Sequence, residues 1–153
     1  MSATVTVVVR TRNRPAMLTR ALASIASQTF DDYEVVIVND AGDEAEVREI
    51  VKKQKSAVRS KIAIVTNEVS NGREAALESG LAASHNRYYA VHDDDDSWHP
   101  HFLKKTVAYL DDHPEAGGVA TRCEIIRERV RADGTCIEIE REVLSTDNYG
   151  LSL

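Results

Sequence analysis

Hydrophobic positions along the chain follow two rhythms that alternate. Residues 4–10, Thr-Val-Thr-Val-Val-Val-Arg, form a β-branched run suited to a strand buried on both faces. Pro15 then stands where a helix opens without needing an N–H. Met17, Leu18, Ala21, Leu22 and Ile25 recur at helical spacing, which predicts a helix over 15–28. Residues 33–38 read as a second buried strand, ending in Asn39-Asp40-Ala41-Gly42. Residues 43–55 read as an exposed helix with Val47, Ile50 and Val51 as its apolar stripe, and 61–66 as a third strand. Asn71-Gly72 marks a turn or a helix cap. The Ala-rich stretch 74–84 reads as a helix that offers Ala75, Ala76, Leu81 and Ala82 to the core. Residues 87–92 are a fourth strand, followed at once by Asp93-Asp94-Asp95-Asp96. Pro100 predicts another helix start, with Phe102, Leu103, Val107 and Leu110 as its packing face and Asp111-Asp112-His113-Pro114 as its end. Residues 118–130 and 135–144 read as a strand pair around an Ala132-Asp133-Gly134 turn.

Alternating strand and helix predict an α/β fold: right-handed crossovers and a mainly parallel sheet with helices on both faces, here with a C-terminal strand pair. Ligands of such sheets bind beyond the carboxyl ends of the strands. The notable polar residues fall at those ends: Arg10-Thr11-Arg12-Asn13, Asn39-Asp40, Asn67 and the four aspartates. Segments far apart in sequence are therefore expected to converge on one crevice.

Composition narrows the classes. The 153 residues suit one compact domain spanning 1–153, and 42% hydrophobic content is enough for a core. No apolar run is long enough to span a bilayer, and residues 1–10 lack a secretory signal. A cytoplasmic location is the default expectation, with peripheral attachment at the inner face of the membrane as its variant. A net charge of −6 argues against a nucleic-acid phosphate track and for a site whose acids want a cation. Cys123 and Cys136 lack zinc spacing, and a hairpin centred on Asp133-Gly134 would not set them opposite each other, so two thiols are expected. The chain has no Gly-Lys-Ser/Thr loop, which excludes a Walker-type NTPase. Arginines occupy the end of the first strand, where a response-regulator phosphoacceptor would want acids.

Four adjacent aspartates at a strand-to-loop junction repel one another unless a cation neutralises them. A hard divalent ion with oxygen ligands is the natural partner. Alternate residues of an extended chain point the same way, so Asp93 and Asp95 are expected to reach one ion. The competing reading is a solvated acidic loop that caps the helix near Pro100 through its dipole. His92, His99 and His101 match no helical zinc spacing and are expected to be satisfied or exposed. Trp98 is expected to pack.

In this order the motifs resemble those of the family 2 glycosyltransferases of the GT-A fold. Those proteins open with a strand and a Pro-Thr-Tyr-Asn-Arg-like loop, then a helix ending in a Ser-Gln-Thr-like stretch, then a strand ending in Asp-Asp or Asn-Asp. This chain has Arg10-Thr11-Arg12-Asn13-Arg14-Pro15, Ser27-Gln28-Thr29-Phe30, and a strand ending in Asn39-Asp40. Asn67, Asn71-Gly72 and Gly80-Leu81 follow, then Asp93-Asp94-Asp95-Asp96-Ser97-Trp98-His99-Pro100, then His113-Pro114-Glu115 and Gly118-Val119. The resemblance covers essentially residues 5–144. It departs at Arg10, where the family usually has proline, and at Arg12, where it has an aromatic. Leu77-Glu78-Ser79 stands where many members carry Ala-Arg-Asn.

The resemblance implies a GT-A, Rossmann-like domain that moves a sugar from a UDP- or GDP-sugar to the hydroxyl of a glycan, lipid or other acceptor. By position, Asp40 resembles the carboxylate that holds the base or ribose, and Thr11 lines the same pocket. Asp93 and Asp95 resemble the outer members of the Asp-x-Asp motif. Asp95 would ligate Mn²⁺ or Mg²⁺ at the donor diphosphate, and Asp93 or Asp94 would reach the ribose or the metal's waters. Arg73 would contact phosphate, and Arg12 would stack its guanidinium on the base. Arg10, Arg12 and Arg14 together would supply positive charge near a diphosphate. The alternative for Asp40 is a cap on the helix after Gly42; for Arg73 it is a solvated side chain. Lewis-acid help to the leaving diphosphate and direct displacement would invert the anomeric centre. The resemblance also implies that the catalytic base and the acceptor half lie beyond Leu153, so the piece is expected to bind nucleotide but turn over poorly. Apolar surface exposed where further chain would pack would support a homo-oligomer. A non-catalytic nucleotide-binding or interaction module of the same fold stays open. A sugar nucleotidyltransferase needs a Gly-rich first loop, and Arg10–Pro15 contains no glycine.

Overall fold

The computed structural model describes residues 3–131 and 136–144. They divide into two compact units, Met1–Ala108 and Tyr109–Leu153. The first unit carries four parallel strands: β1 (Val5–Thr11), β2 (Tyr33–Asp40), β3 (Ile62–Asn67) and β4 (Tyr88–Asp93), in the order β3-β2-β1-β4. The apolar runs at β1 and β2 are interior strands, as their near-continuous hydrophobicity predicts. Alternation sends the two faces of the sheet to different layers. Val5, Val7, Val9, Val35 and Ile37 pack with helix α1 (Pro15–Ala26), helix α2 (Glu44–Lys52) and Leu103 and Val107 of helix α5 (Phe102–Asp112). Val8, Val36 and Val38 pack with Ala76 of helix α4 (Arg73–Ala82) on the other face. Helices therefore cover both faces, as expected.

Local chemistry sets the helix ends. Pro15 opens α1, whose buried stripe is Leu18, Ala21, Leu22 and Ile25. Asp43 caps α2 by accepting from Ala45 N at 2.9 Å and Glu46 N at 3.2 Å. Gly80 lets α4 come against the sheet: a Cβ there would stand 2.4 Å from Val8 Cγ1.

Three boundaries differ from the sequence expectation. The helix expected from Pro100 begins at Phe102, because the Pro100 carbonyl accepts from Thr29 N at 2.8 Å and is held in a loop. The exposed helix stops at Lys52, and a separate single turn, α3 (Ser56–Arg59), follows. The first strand of the C-terminal pair starts at Cys123 rather than 118.

In the second unit, β5 (Cys123–Val130) and β6 (Cys136–Leu144) form an antiparallel pair with an irregularity at Arg127/Glu128. Its register sets Cys123 against Leu144 and Val130 against Cys136, so the cysteines are not opposed and neither thiol is in a disulfide. The Ala132-Asp133-Gly134 turn lies outside the described residues. Among the described residues no helix is long and apolar enough to cross a membrane.

Candidate functional site

The parallel register brings the strand ends together. Arg10 is beside Asp93, Thr11 beside Asn39, and Asp40 beside Asn67. Beyond these ends opens a crevice of about 410 Å³ lined by Arg10, Thr11, Arg12, Arg14, Asp40, Ser70, Gly72, Arg73, Ala76, Asp93, Asp94 and Asp95. Every site residue singled out from the sequence, Thr11, Arg12, Asp40, Arg73, Asp93, Asp94 and Asp95, lines it. All of them belong to the first unit.

At the β2 side Asp40 is almost fully buried. Its Oδ1 accepts from Asn67 Nδ2 at 2.9 Å and its Oδ2 from the Ser70 hydroxyl. Burial pushes its pKa up, but the Ser70 and Asn67 hydrogen bonds and the Arg12 charge outweigh it, and the carboxyl is held below its ordinary value. Asp43 rather than Asp40 caps the following helix. Ser70 was missed in the sequence: nothing in the loop after β3 distinguishes it from a solvated serine.

At the β4 side the run does not stay extended. Asp93 ends the strand, the chain turns at Asp94 and Asp95, and Asp96 N donates to the Asp93 carbonyl at 3.0 Å. Arginines of the first loop interleave with the acids. Arg10 donates from Nε at 2.9 Å and from Nη2 to Asp93 Oδ1, and from Nη1 to the Arg73 carbonyl at 3.0 Å. Asp94 is buried, and both of its oxygens are engaged: Oδ2 accepts from the Thr11 hydroxyl at 2.8 Å and Oδ1 from Arg14 Nη1 at 2.8 Å. The same Arg14 nitrogen reaches Asp95 Oδ2 at 3.0 Å. These two carboxylates raise the Arg14 pKa further. The repulsion expected of the run remains at Asp96, whose pKa is raised by burial and by Asp93 and Asp95.

The segment after the turn is fastened to the far end of α1. The Ser24 hydroxyl accepts from Trp98 N at 2.6 Å. Gln28 donates to the His99 carbonyl at 3.0 Å and accepts from Leu103 N at 3.0 Å. Gln28 thus supplies an acceptor for one of the first N–H groups of α5. Trp98 packs as expected, stacked on Phe102 with ring centroids 4.3 Å apart. His92 corrects an expectation: it is fully buried, Nδ1 bonds the Asp93 carbonyl at 2.8 Å, and Nε2 has no partner. Burial lowers its pKa. The Arg73 side chain is solvated and paired with Glu74 at 2.7 Å at the rim.

Among the described residues no group of three or more histidine, cysteine or carboxylate side chains surrounds a common metal position. The donor set still suits a hard ion that keeps water and phosphate ligands. Asp94 is saturated. Arg10 engages Asp93 through Oδ1, and Arg14 engages Asp95 through Oδ2.

The profile of a family described as "Glycosyl transferase family 2" matches residues 6–142. A Haemophilus influenzae protein named as an uncharacterized glycosyltransferase is 26% identical over 125 residues, covering 82% of this chain and 38% of the relative. The uncharacterized glycosyltransferase YwdF of Bacillus subtilis is 32% identical over 107 residues, covering 70% of this chain and 38% of the relative. The chain thus spans well under half the length of these curated relatives. Among solved structures, S. aureus TarS 1-349 in complex with UDP has a TM-score of 0.64 at 26% identity, covering 72% of this chain and 32% of that one. The mannosyltransferase PcManGT of Pyrobaculum calidifontis, in complex with GDP-Man and Mn²⁺, has a TM-score of 0.64 at 24% identity, covering 74% of this chain and 34% of that one, and shows the fold alone.

Proposed function

The chain belongs to glycosyl transferase family 2, and from that premise we propose that its crevice binds a UDP- or GDP-sugar with Mn²⁺ or Mg²⁺. The sugar moves to an acceptor hydroxyl with inversion of the anomeric centre. One observation carries the reading: Thr11, Asp40 and the acidic turn, from the ends of β1, β2 and β4, line a single crevice. That is where ligands of open parallel sheets sit.

In this reading Asp93 and Asp95 would hold the divalent ion. The bound ion supplies Lewis-acid stabilisation of the departing diphosphate. Asp94, fixed by Thr11 and Arg14, sets the shape of the turn and presents it to the ribose side. Asp40 stays ionised and accepts from a nucleoside donor, aided by Asn67 and Ser70, which are already spent on it. Arg12 beside Asp40 offers a flat cation for a base. Arg73, at the start of α4, would meet phosphate at the rim. Asp40 is a weak base because its pKa is lowered, so the group that takes the acceptor proton is not assigned to it.

Isothermal titration with UDP and GDP tests this. Manganese is expected to tighten one of the two at least tenfold, and Asp95→Asn to abolish that gain. Negligible affinity for both nucleotides, the same with manganese and with chelator, would overturn the reading.

A further inference from the structure

We propose that Arg14 is an exchangeable counter-ion of Asp95, competing with the divalent cation for that carboxylate and turning to the diphosphate once displaced. This rests on the reading of the crevice as a donor site and adds to it a residue that couples metal to donor.

The crevice is lined by four guanidiniums, of Arg10, Arg12, Arg14 and Arg73, and four carboxylates, of Asp40, Asp93, Asp94 and Asp95. Its charges balance. A diphosphate alone or a divalent ion alone disturbs that balance, whereas the two together nearly restore it. Binding of each is therefore expected to strengthen the other, and such coupling is reciprocal.

Arg10 and Arg14 differ in freedom. Arg10 has a side chain only 14% exposed and is tied to both Asp93 and the Arg73 carbonyl, so it is a fixed clamp. Arg14 is 53% exposed, and among the described residues its side chain bonds Asp94 and Asp95. Asp94 is buried and keeps both Thr11 and Arg14. Among the described residues Asp95, 54% exposed, has Arg14 as its cationic partner and needs a replacement cation. Exposed ion pairs are weak, so Arg14 gives up Asp95 at small cost. The guanidinium, still held by Asp94, stays at the mouth of the crevice, where the fork of Arg matches phosphate oxygens.

The test uses the whole chain. Manganese binding without nucleotide, read from the electron-spin resonance of the free ion, is expected to be about three- to tenfold tighter in Arg14→Ala than in the wild type, since a like charge leaves the ion's neighbourhood. The factor by which manganese tightens UDP or GDP, read by titration calorimetry, is expected to fall by a similar amount. Arg14→Lys keeps the charge and should stay nearer the wild type on both readouts. Arg48→Ala on α2, outside the crevice, should change neither. An unchanged manganese affinity and an unchanged coupling factor in Arg14→Ala would overturn the exchange. So would an equal shift in Arg48→Ala, which would mean bulk charge is responsible. A wild type that binds neither nucleotide with manganese sinks the donor-site reading instead, and the manganese-only comparison still judges Arg14.

Discussion

Asp40 keeps its charge although burial opposes it, because Asn67, Ser70 and Arg12 outweigh the desolvation. The sign of the linkage follows. Its folded pKa lies below the ordinary 3.8, so the unfolded chain binds the proton more readily. The stability Asp40 contributes is complete above the unfolded value and is lost as pH falls through the folded one. Asp40→Asn should therefore flatten the acid limb of the urea midpoint below about pH 4, and should weaken nucleotide binding about tenfold or more through loss of a charged acceptor. A wild-type acid limb in the variant would show that the charge has no such role. At this scale the sequence was legible by position and not by partner. The ends of β1, β2 and β4 mark Thr11, Asp40 and the aspartates, but no periodicity says that Arg14 bridges Asp94 and Asp95 or that Ser70 holds Asp40. Those contacts depend on how loops close. His92, expected to be satisfied or exposed, is neither at Nε2, because Trp98 packs against the ring with centroids 4.4 Å apart, a contact no periodicity shows.

The α4 helix shows two elementary rules in conflict. By helix propensity, Gly80→Ala should stabilise by about 1 kcal/mol. The sheet decides otherwise, since the added Cβ would meet Val8 Cγ1 at 2.4 Å and Val38 Cγ2 at 3.0 Å. Both contacts are with β-branched side chains of interior strands, which have little room to yield. The expected outcome in urea denaturation is a net loss of about 1–3 kcal/mol; a gain would mean that α4 moves off the sheet freely. Elements with strong periodicity were legible: β1, β2, α1 and α5 follow from apolar runs and helical spacing. The misplaced boundaries have local causes. Pro100 carries a helix-start signal, yet its carbonyl serves Thr29, and Gln28 supplies the acceptor that the helix start needs two residues later.

For the whole molecule, the strand order was the informative step. Alternation of strand and helix predicts a shared crevice at the strand ends, and the order with β1 between β2 and β4 shows which three ends open on one rim. Its lining runs from Arg10 to Asp95 and lies wholly in the first unit. A chain ending at Ala116, which retains all of α5, is therefore expected to unfold cooperatively and to keep the nucleotide affinity of the longer chain within about threefold, since less than 1 kcal/mol is involved. Loss of the thermal transition would show that the C-terminal strands are needed for the first unit to hold its shape. The α1 helix has a consequence of its own. It is about 18 Å long at 1.5 Å per residue, and the arginine that reaches the acidic turn stands at its head. Ser24, within the helix, and Gln28, just past its end, grip the chain just beyond that turn. Head and tail thus hold the two sides of one gap, as the jaws of a caliper share a beam. A single element thus carries both attachments of that stretch of chain.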